Sequence, residues 1–293
     1  MKILITGDVS DWNIPNGFNI KDFNPHLLKK FKNIDLLISN LEGPIVENPN
    51  SGSLVYREGK FLNILYKIVV AISKSYQPKV YSSKKILELL KIPPKTVVTT
   101  ANNHIKDCGK EGFLETQTYL RKNNISFIGG ENSKVDSNNV LMIEEKLFLI
   151  NTNWVGKKFG LDLFGSSTGS FGSSSLSIED IKKSIELIKK SDGKVILMLH
   201  AGKELEKDIC NWDFQLNKIK DLNADLAVII HPHIYIKTEW EKDNIFVLGD
   251  FIFSRPGKLE KDRETAFLEV EFKNKYLSVI NTILPVNSIF KYK

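Results

Sequence analysis

Five short apolar, β-branched runs punctuate the chain, at residues 3–6, 35–39, 96–100, 194–199 and 225–230. Their continuous apolarity predicts strands buried on both faces rather than strands with one wet side. Between them, residues 25–32, 60–75, 84–91, 112–123, 178–190 and 205–222 carry apolar positions at helical spacing. Strands alternating with helices predict an α/β sheet. A second set of strand-like runs, at 141–143, 147–151, 234–240, 245–248, 266–272 and 276–283, has no helices between its members. These predict antiparallel hairpins that form a second sheet.

Residues 165–177 are rich in glycine and serine and have the composition of an interdomain linker. The polar residues with chemical potential lie on both sides of it, so the expectation is one domain over residues 1–293, with 165–177 a surface loop beside the site. Ser177 followed by Asp180 has the spacing of a helix N-terminal capping box. At 293 residues, 42% apolar and 26% charged, the chain has the composition of a globular α/β protein. The net charge of +6 is spread over helix faces rather than gathered in one basic block. An acidic substrate is compatible with it. No aromatic and basic stripe is present, so no nucleic-acid partner is expected. Cys108 and Cys210 have no metal-type spacing and read as reduced thiols. With no leader-like segment and no membrane anchor in the pattern, the expected compartment is the cytoplasm.

The segments just after the five apolar runs carry the chemistry. Gly7-Asp8 ends the first run, Asn40-Leu41-Glu42 the second, and Ala101-Asn102-Asn103-His104 the third. His200-Ala201-Gly202-Lys203-Glu204 ends the fourth and His231-Pro232-His233 the fifth. Each has a plain structural reading alone: a turn, a helix-start charge, a capping asparagine, a core histidine bonded to backbone. Their coincidence at corresponding strand ends is the signal, because the carboxyl ends of parallel strands share one edge where ligands bind. Four of the five histidines lie in these segments, and His26 is expected on a helix surface. In an extended segment, His231 and His233 would point to the same side.

The series resembles the CapA family of capsule or poly-γ-glutamate biosynthesis proteins, a branch of the calcineurin-like metallophosphatases. It comprises Gly7-Asp8, Asn40-Leu41-Glu42, and Ala101-Asn102-Asn103-His104 with Asp107 and Gly109. It continues with His200-x-Gly202-x-Glu204, His231-Pro232-His233 with Glu239, and Leu248-Gly249-Asp250-Phe251-x-Phe253. The likeness runs from residue 3 to about 254. It implies a calcineurin-like metallophosphatase fold, with two packed mixed β-sheets flanked by helices in an α/β/β/α sandwich. It also implies one or two divalent metal ions. Glu42 would bridge two ions, Asp8 and His233 would complete the first position, and Asn103, His200 and His231 the second. Carboxylate, amide and imidazole donors without thiolate suit manganese, iron or zinc. His104 would protonate the leaving group and Asp107 orient it, while Asn102 and Glu204 would contact substrate.

The chain departs from the resembled pattern in three places. Ser10 stands where the superfamily's phosphatases carry a second histidine, which leaves the first metal position one ligand short and the choice between one ion and two open. Ile230 replaces a glycine, and Asp250 an asparagine. The implied activity is that of a metal-dependent hydrolase, a phosphoesterase that directs a metal-activated hydroxide at an anionic, phosphorylated metabolite or surface-polymer precursor. One alternative is hydrolysis or transfer at a γ-glutamyl or other peptide amide. Another is a non-catalytic subunit that binds an acidic polymer.

Overall fold

The computed structural model describes residues 1–12, 14, 17–48, 80–131, 139–155, 157–158, 161–162, 172–212, 214–253, 264–285 and 289. In chain order the main elements are β1 (Lys2–Val9), α1 (Pro25–Lys32), β2 (Leu36–Leu41), α2 (Ile86–Leu90), β3 (Thr96–Thr99), α3 (Gly109–Lys122) and β4 (Ser126–Ile128). Next come β5 (Val140–Glu144), β6 (Leu147–Asn153), α4 (Ile178–Lys190), β7 (Lys194–His200) and β8 (Leu226–Ile230). The chain then forms β9 (Ile245–Val247), β10 (Asp250–Ile252), β11 (Glu264–Lys273) and β12 (Tyr276–Pro285).

Two sheets result. The first runs β12-β11-β1-β2-β3-β4, with β10 pairing in parallel to the end of β1; the second runs β9-β8-β7-β6-β5. Alternation along the strands decides what lies on each side. Ile3, Ile5, Leu36, Ile38 and Val97 of the first sheet pack against Leu149, Ile196, Met198, Leu226 and Val228 of the second, forming the layer between them. The intervening positions Leu4, Leu37 and Val98 face outward onto Leu27 and Phe31 of α1, Leu87 of α2 and Leu120 of α3. On the other side, Val195, Leu197, Leu199 and Ile229 meet Ile181, Ile185 and Ile188 of α4. The four-layer α/β/β/α arrangement is the expected one. Each central strand is buried on both faces, which is why its sequence reads as an unbroken apolar run.

The helix ends follow their sequence signals. Asn24 accepts from the backbone N–H of His26 at 2.9 Å, Pro25 occupies the first turn, and three lysines close α1. Ser177 accepts from the N–H of Asp180 at 3.1 Å and donates its hydroxyl to the Asp180 carboxylate at 2.7 Å, so the expected cap of α4 is present. His26 is exposed on α1, as expected.

Other expectations need correction. The six hairpin-type runs do not make a sheet of their own: β11 and β12 extend the first sheet beside β1, whereas β5 and β6 extend the second. Residues 245–247 pair in parallel with β8 rather than in a hairpin. Residues 234–240 form no strand beyond one bridge, Ile236 to Val247, because Thr238 captures the N–H of Trp240 at 3.2 Å and starts a 3-10 turn. Residues 205–222 form no α-helix. Leu205 has a left-handed backbone, and the side chains of Glu206 and Asp208 accept from N–H groups two residues on, diverting them into 3-10 segments at Ile209–Asn211 and Phe214–Leu222. The helix expected at 60–75 and residues 165–171 of the expected surface loop lie outside the described residues. At the loop's far end, Ser173 and Ser174 are buried rather than exposed, and Gly172–Ser173 pairs with Gly130–Glu131. No helix among the described residues is long and apolar enough to cross a membrane.

Candidate metal centre

Gly7-Asp8, read above as a turn, is an irregularity inside β1. The pairing with β2 shifts register between Ile5 and Asp8, and the strand continues to Val9. Gly7 is required there, since a Cβ would lie 1.7 Å from the carbonyl oxygen of Gly249. The bare backbone lets β1 run against the segment that enters β10, and it sets Asp8 opposite Asp250 in the parallel register.

Asn40, at the end of β2, ties the first carboxylates together. Its Nδ2 donates to Asp8 Oδ1 and to Glu42 Oε2, both at 2.7 Å. After β3, Asn102 braces the loop: Nδ2 donates to the carbonyl of Leu41 at 2.7 Å and Oδ1 accepts from the N–H of His104 at 3.1 Å. His104 Nδ1 lies 2.7 Å from Asp107 Oδ2, which also accepts from the N–H of Val80 at 2.8 Å. With Nδ1 so engaged, His104 Nε2 is left toward the crevice, 3.9 Å from Glu42 Oε1.

From the second sheet, β7 delivers His200, whose Nε2 is 2.7 Å from Asn103 Oδ1 and 3.6 Å from Glu42 Oε1. His231 and His233 come just after β8. Their backbone is not extended: φ is 106° at His231 and 61° at His233, a left-handed region that non-glycine residues rarely adopt. The two rings nevertheless converge, with centroids 5.7 Å apart, and His231 lies 4.9 Å from His200. His233 Nδ1 is 2.5 Å from Asp250 Oδ1 and 3.4 Å from Asp8 Oδ2.

All of these side chains but the half-buried Asp107 are buried, and the cost of burial shows in the titration of Glu42 and His200. Burial pushes the Glu42 carboxyl well above the usual carboxylate range, and neighbouring Asp8 reinforces the push. Burial likewise holds His200 well below the ordinary imidazole value, with His231 and His233 adding to the effect. Glu42 Oε1 and His200 Nδ1 are buried with no hydrogen-bond partner. Buried polar atoms are rarely left so, and a divalent cation beside Glu42 Oε1, which His200 faces through Nε2 at 3.6 Å, would satisfy the carboxylate oxygen. Donor atoms of Asp8, Glu42 and His200 lie within 4.8 Å of one another, as do those of Asp8, His233 and Asp250, and those of Glu204, His231 and His233. The residues therefore fit a metal ion held by oxygen and nitrogen donors.

The structure brings Asp8, Glu42, Asn103, His200, His231 and His233 into one crevice, with His104 and Asp107 at its side. Asn102, expected at the substrate, is instead fully buried beneath the loop, its amide consumed by backbone groups. Glu204 is exposed at the rim, close to the two histidines of the second sheet. Three residues had no role assigned from the sequence. Asn40 joins the carboxylates, and Asn151 ties the third loop to the second sheet by accepting from Ala101 N–H and donating to the Met198 carbonyl, both at 3.0 Å. Asp250, noted above only as standing in place of an asparagine, is fully buried in the cluster. A polar residue inside an apolar strand run was the available signal for Asn40 and Asn151.

The model of the family described as bacterial capsule synthesis protein PGA_cap matches residues 2–255. The PGA biosynthesis protein CapA of Bacillus subtilis (strain 168) is 21% identical over 257 residues, which cover 82% of this chain and 66% of that protein. The chain thus spans about two thirds of its relative's length. The crystal structure of TT1561 of Thermus thermophilus aligns over 96% of this chain and 98% of that one, at 12% identity and a TM-score of 0.44.

Proposed function

Because the chain belongs to the bacterial capsule synthesis protein family PGA_cap, we propose that its crevice is a metal centre that hydrolyses an anionic, phosphorylated metabolite or surface-polymer precursor. The observation that carries this reading is the buried Glu42 Oε1, left without a hydrogen bond amid converging carboxylates and imidazoles. Glu42 would bridge two positions. Asp8 and His233 would serve the first, and Asn103, His200 and His231 the second, with manganese, iron or zinc as the ion. When bound, such ions ionise water near neutrality and neutralise charge developing at a phosphoryl group. Four of these donors are neutral amide or imidazole groups, so two divalent ions would leave the pocket positive and select an anion.

The protein's own residues supply the proton. Asp107 Oδ2, fixed by Val80 N–H, holds the Nδ1 edge of His104 and so presents Nε2 to the crevice. From there His104 would donate to the departing oxygen, a contribution of about 10²–10⁴-fold for a positioned general acid. A second reading is favoured by the name of the Bacillus subtilis relative, which places that protein in PGA biosynthesis. In it, the same centre acts at a γ-glutamyl amide.

Metal content of protein purified without chelator, measured beside turnover on phosphomonoesters, phosphodiesters and γ-glutamyl amides, tests both. Bound transition metal with phosphoester turnover is the expected result, and turnover of amides alone would establish the second reading. Absence of metal, or unchanged turnover in Asn103→Ala and His231→Ala, would overturn the proposal. His104→Asn is expected to keep its metal and to lose about 10²–10⁴-fold in turnover, most for poor leaving groups. Loss of metal from that variant would show His104 to be a ligand instead.

A further inference from the structure

The first metal position is one ligand short if position 10 is asked to supply it. The Ser10 side chain is fully buried and committed: its hydroxyl donates to the Tyr81 carbonyl at 3.2 Å and accepts from Trp12 N–H at 3.2 Å and from the Ser82 hydroxyl at 3.0 Å. It has no donor capacity left for a cation.

A carboxylate stands on the other side of the same position. Asp250 opens β10, directly across the parallel register from Asp8, and it is fully buried. Its Oδ1 is 2.5 Å from His233 Nδ1, and Asp8 Oδ2 is 3.4 Å from that same nitrogen. All three donors fall within 4.8 Å of one another. The neighbouring Glu42 Oε1, linked to Asp8 through Asn40, is buried without a hydrogen bond. We propose that Asp250 is a direct ligand of the first metal ion and supplies the donor that Ser10 withholds. The centre would then hold Asp8, Glu42, His233 and Asp250 at one position and Glu42, Asn103, His200 and His231 at the other. A carboxylate in place of an imidazole lowers the charge of the first position and favours a harder cation there, such as manganese. This inference rests on the reading of the crevice as a metal centre.

Asp250 has a competing role as a hydrogen-bond acceptor that merely orients His233, and substitutions separate the two. Asparagine keeps an acceptor oxygen for His233 Nδ1–H but removes the charge; alanine removes both. Manganese is titrated into metal-free wild type, Asp250→Asn and Asp250→Ala, with binding followed by calorimetry and bound metal counted after gel filtration. Circular dichroism of the metal-free proteins reports that each has folded. The expected result is two classes of site in wild type. In Asp250→Asn one class should weaken by more than the roughly 10–100-fold that loss of an outer hydrogen bond costs, and the other should keep its affinity. Equal binding by wild type and Asp250→Asn would overturn the proposal. So would retention by Asp250→Asn with loss in Asp250→Ala, the signature of a positioning residue. Wild type that binds none of manganese, iron(II) and zinc would overturn the metal-centre reading itself, a failure visible before any variant is measured. Anomalous scattering from manganese in crystals of the unaltered protein gives a check independent of variant folding: an ion bonded to an Asp250 oxygen is expected, and an ion held without that oxygen would overturn the assignment.

Discussion

Glu42 is a carboxylate held where water cannot reach it, between Asp8 and two imidazoles. Without a cation, ionising it is unfavourable, and the folded protein keeps its carboxyl protonated well above the pH at which an unfolded chain would ionise. Proton counts give the sign of the linkage. Between the unfolded and the folded pKa the native state binds more protons, so Glu42 makes stability fall as pH rises through that window. Glu42→Gln removes the dependence. Metal-free Glu42→Gln should therefore melt higher than metal-free wild type at pH 7, by at least about 2 °C. The gap should close below about pH 4, near the ordinary glutamate value. Added manganese should stabilise wild type more than it stabilises the variant. Calorimetric melts at several pH values, with and without chelator, check the sign of each difference; a variant that melts lower than wild type without metal would show that Glu42 contributes packing rather than latent charge.

Among the elements, the departure of β1 from regular pairing at Gly7 is the step on which the centre depends. Gly7→Ala places a methyl group against the Gly249 carbonyl and must push β1 and β10 apart. An overpacking cost of about 1–3 kcal/mol is expected from denaturant unfolding. Metal affinity should drop as well, because Asp8 and Asp250 face each other across that contact. Unchanged stability would mean that the two strands give way freely. The strands and the cap of α4 were legible because their causes are local: an unbroken apolar run is what burial on both faces demands, and Ser177 carries its own hydrogen bond. Assignment of hairpins to sheets was not, since a hairpin strand carries no sequence mark for the sheet whose edge it joins. The segment at 205–222 misled for another reason, because Glu206 and Asp208 take the N–H groups that a helix would have used. The ligand set was legible as residue types at strand ends, but the left-handed turns at His231 and His233 were not. Those turns bring the two rings together by a route that the extended reading did not contain.

Across the whole molecule, the centre joins the two sheets at one end. Asp8, Glu42 and Asn103 lie at strand ends of the first, whereas His200, His231 and His233 lie at strand ends of the second. Apart from polar ties such as Asn151, which accepts from Ala101 N–H at 3.0 Å, the layer between the sheets is apolar packing, which is non-directional. A bound cation is thus a further cross-link between the two sheets at that edge. Metal that binds only the folded state stabilises it by mass action, about 2.7 kcal/mol at a concentration a hundred times the dissociation constant. Chelation should reverse this and loosen a particular place. In hydrogen exchange, the carboxyl ends of β1, β2, β7 and β8 should lose protection together, while α1 and α4, which pack on the far sides of the two sheets, keep theirs. Reloading should also release protons, because burial raises the Glu42 carboxyl and favours its protonated form, whereas a metal is held by the carboxylate. Calorimetric titrations in two buffers of different ionisation enthalpy count those protons. Release in wild type and its reduction in Glu42→Gln would tie the sheet-to-sheet coupling to this one carboxylate. Loss of protection confined to one sheet would mean that the metal is held by that sheet alone.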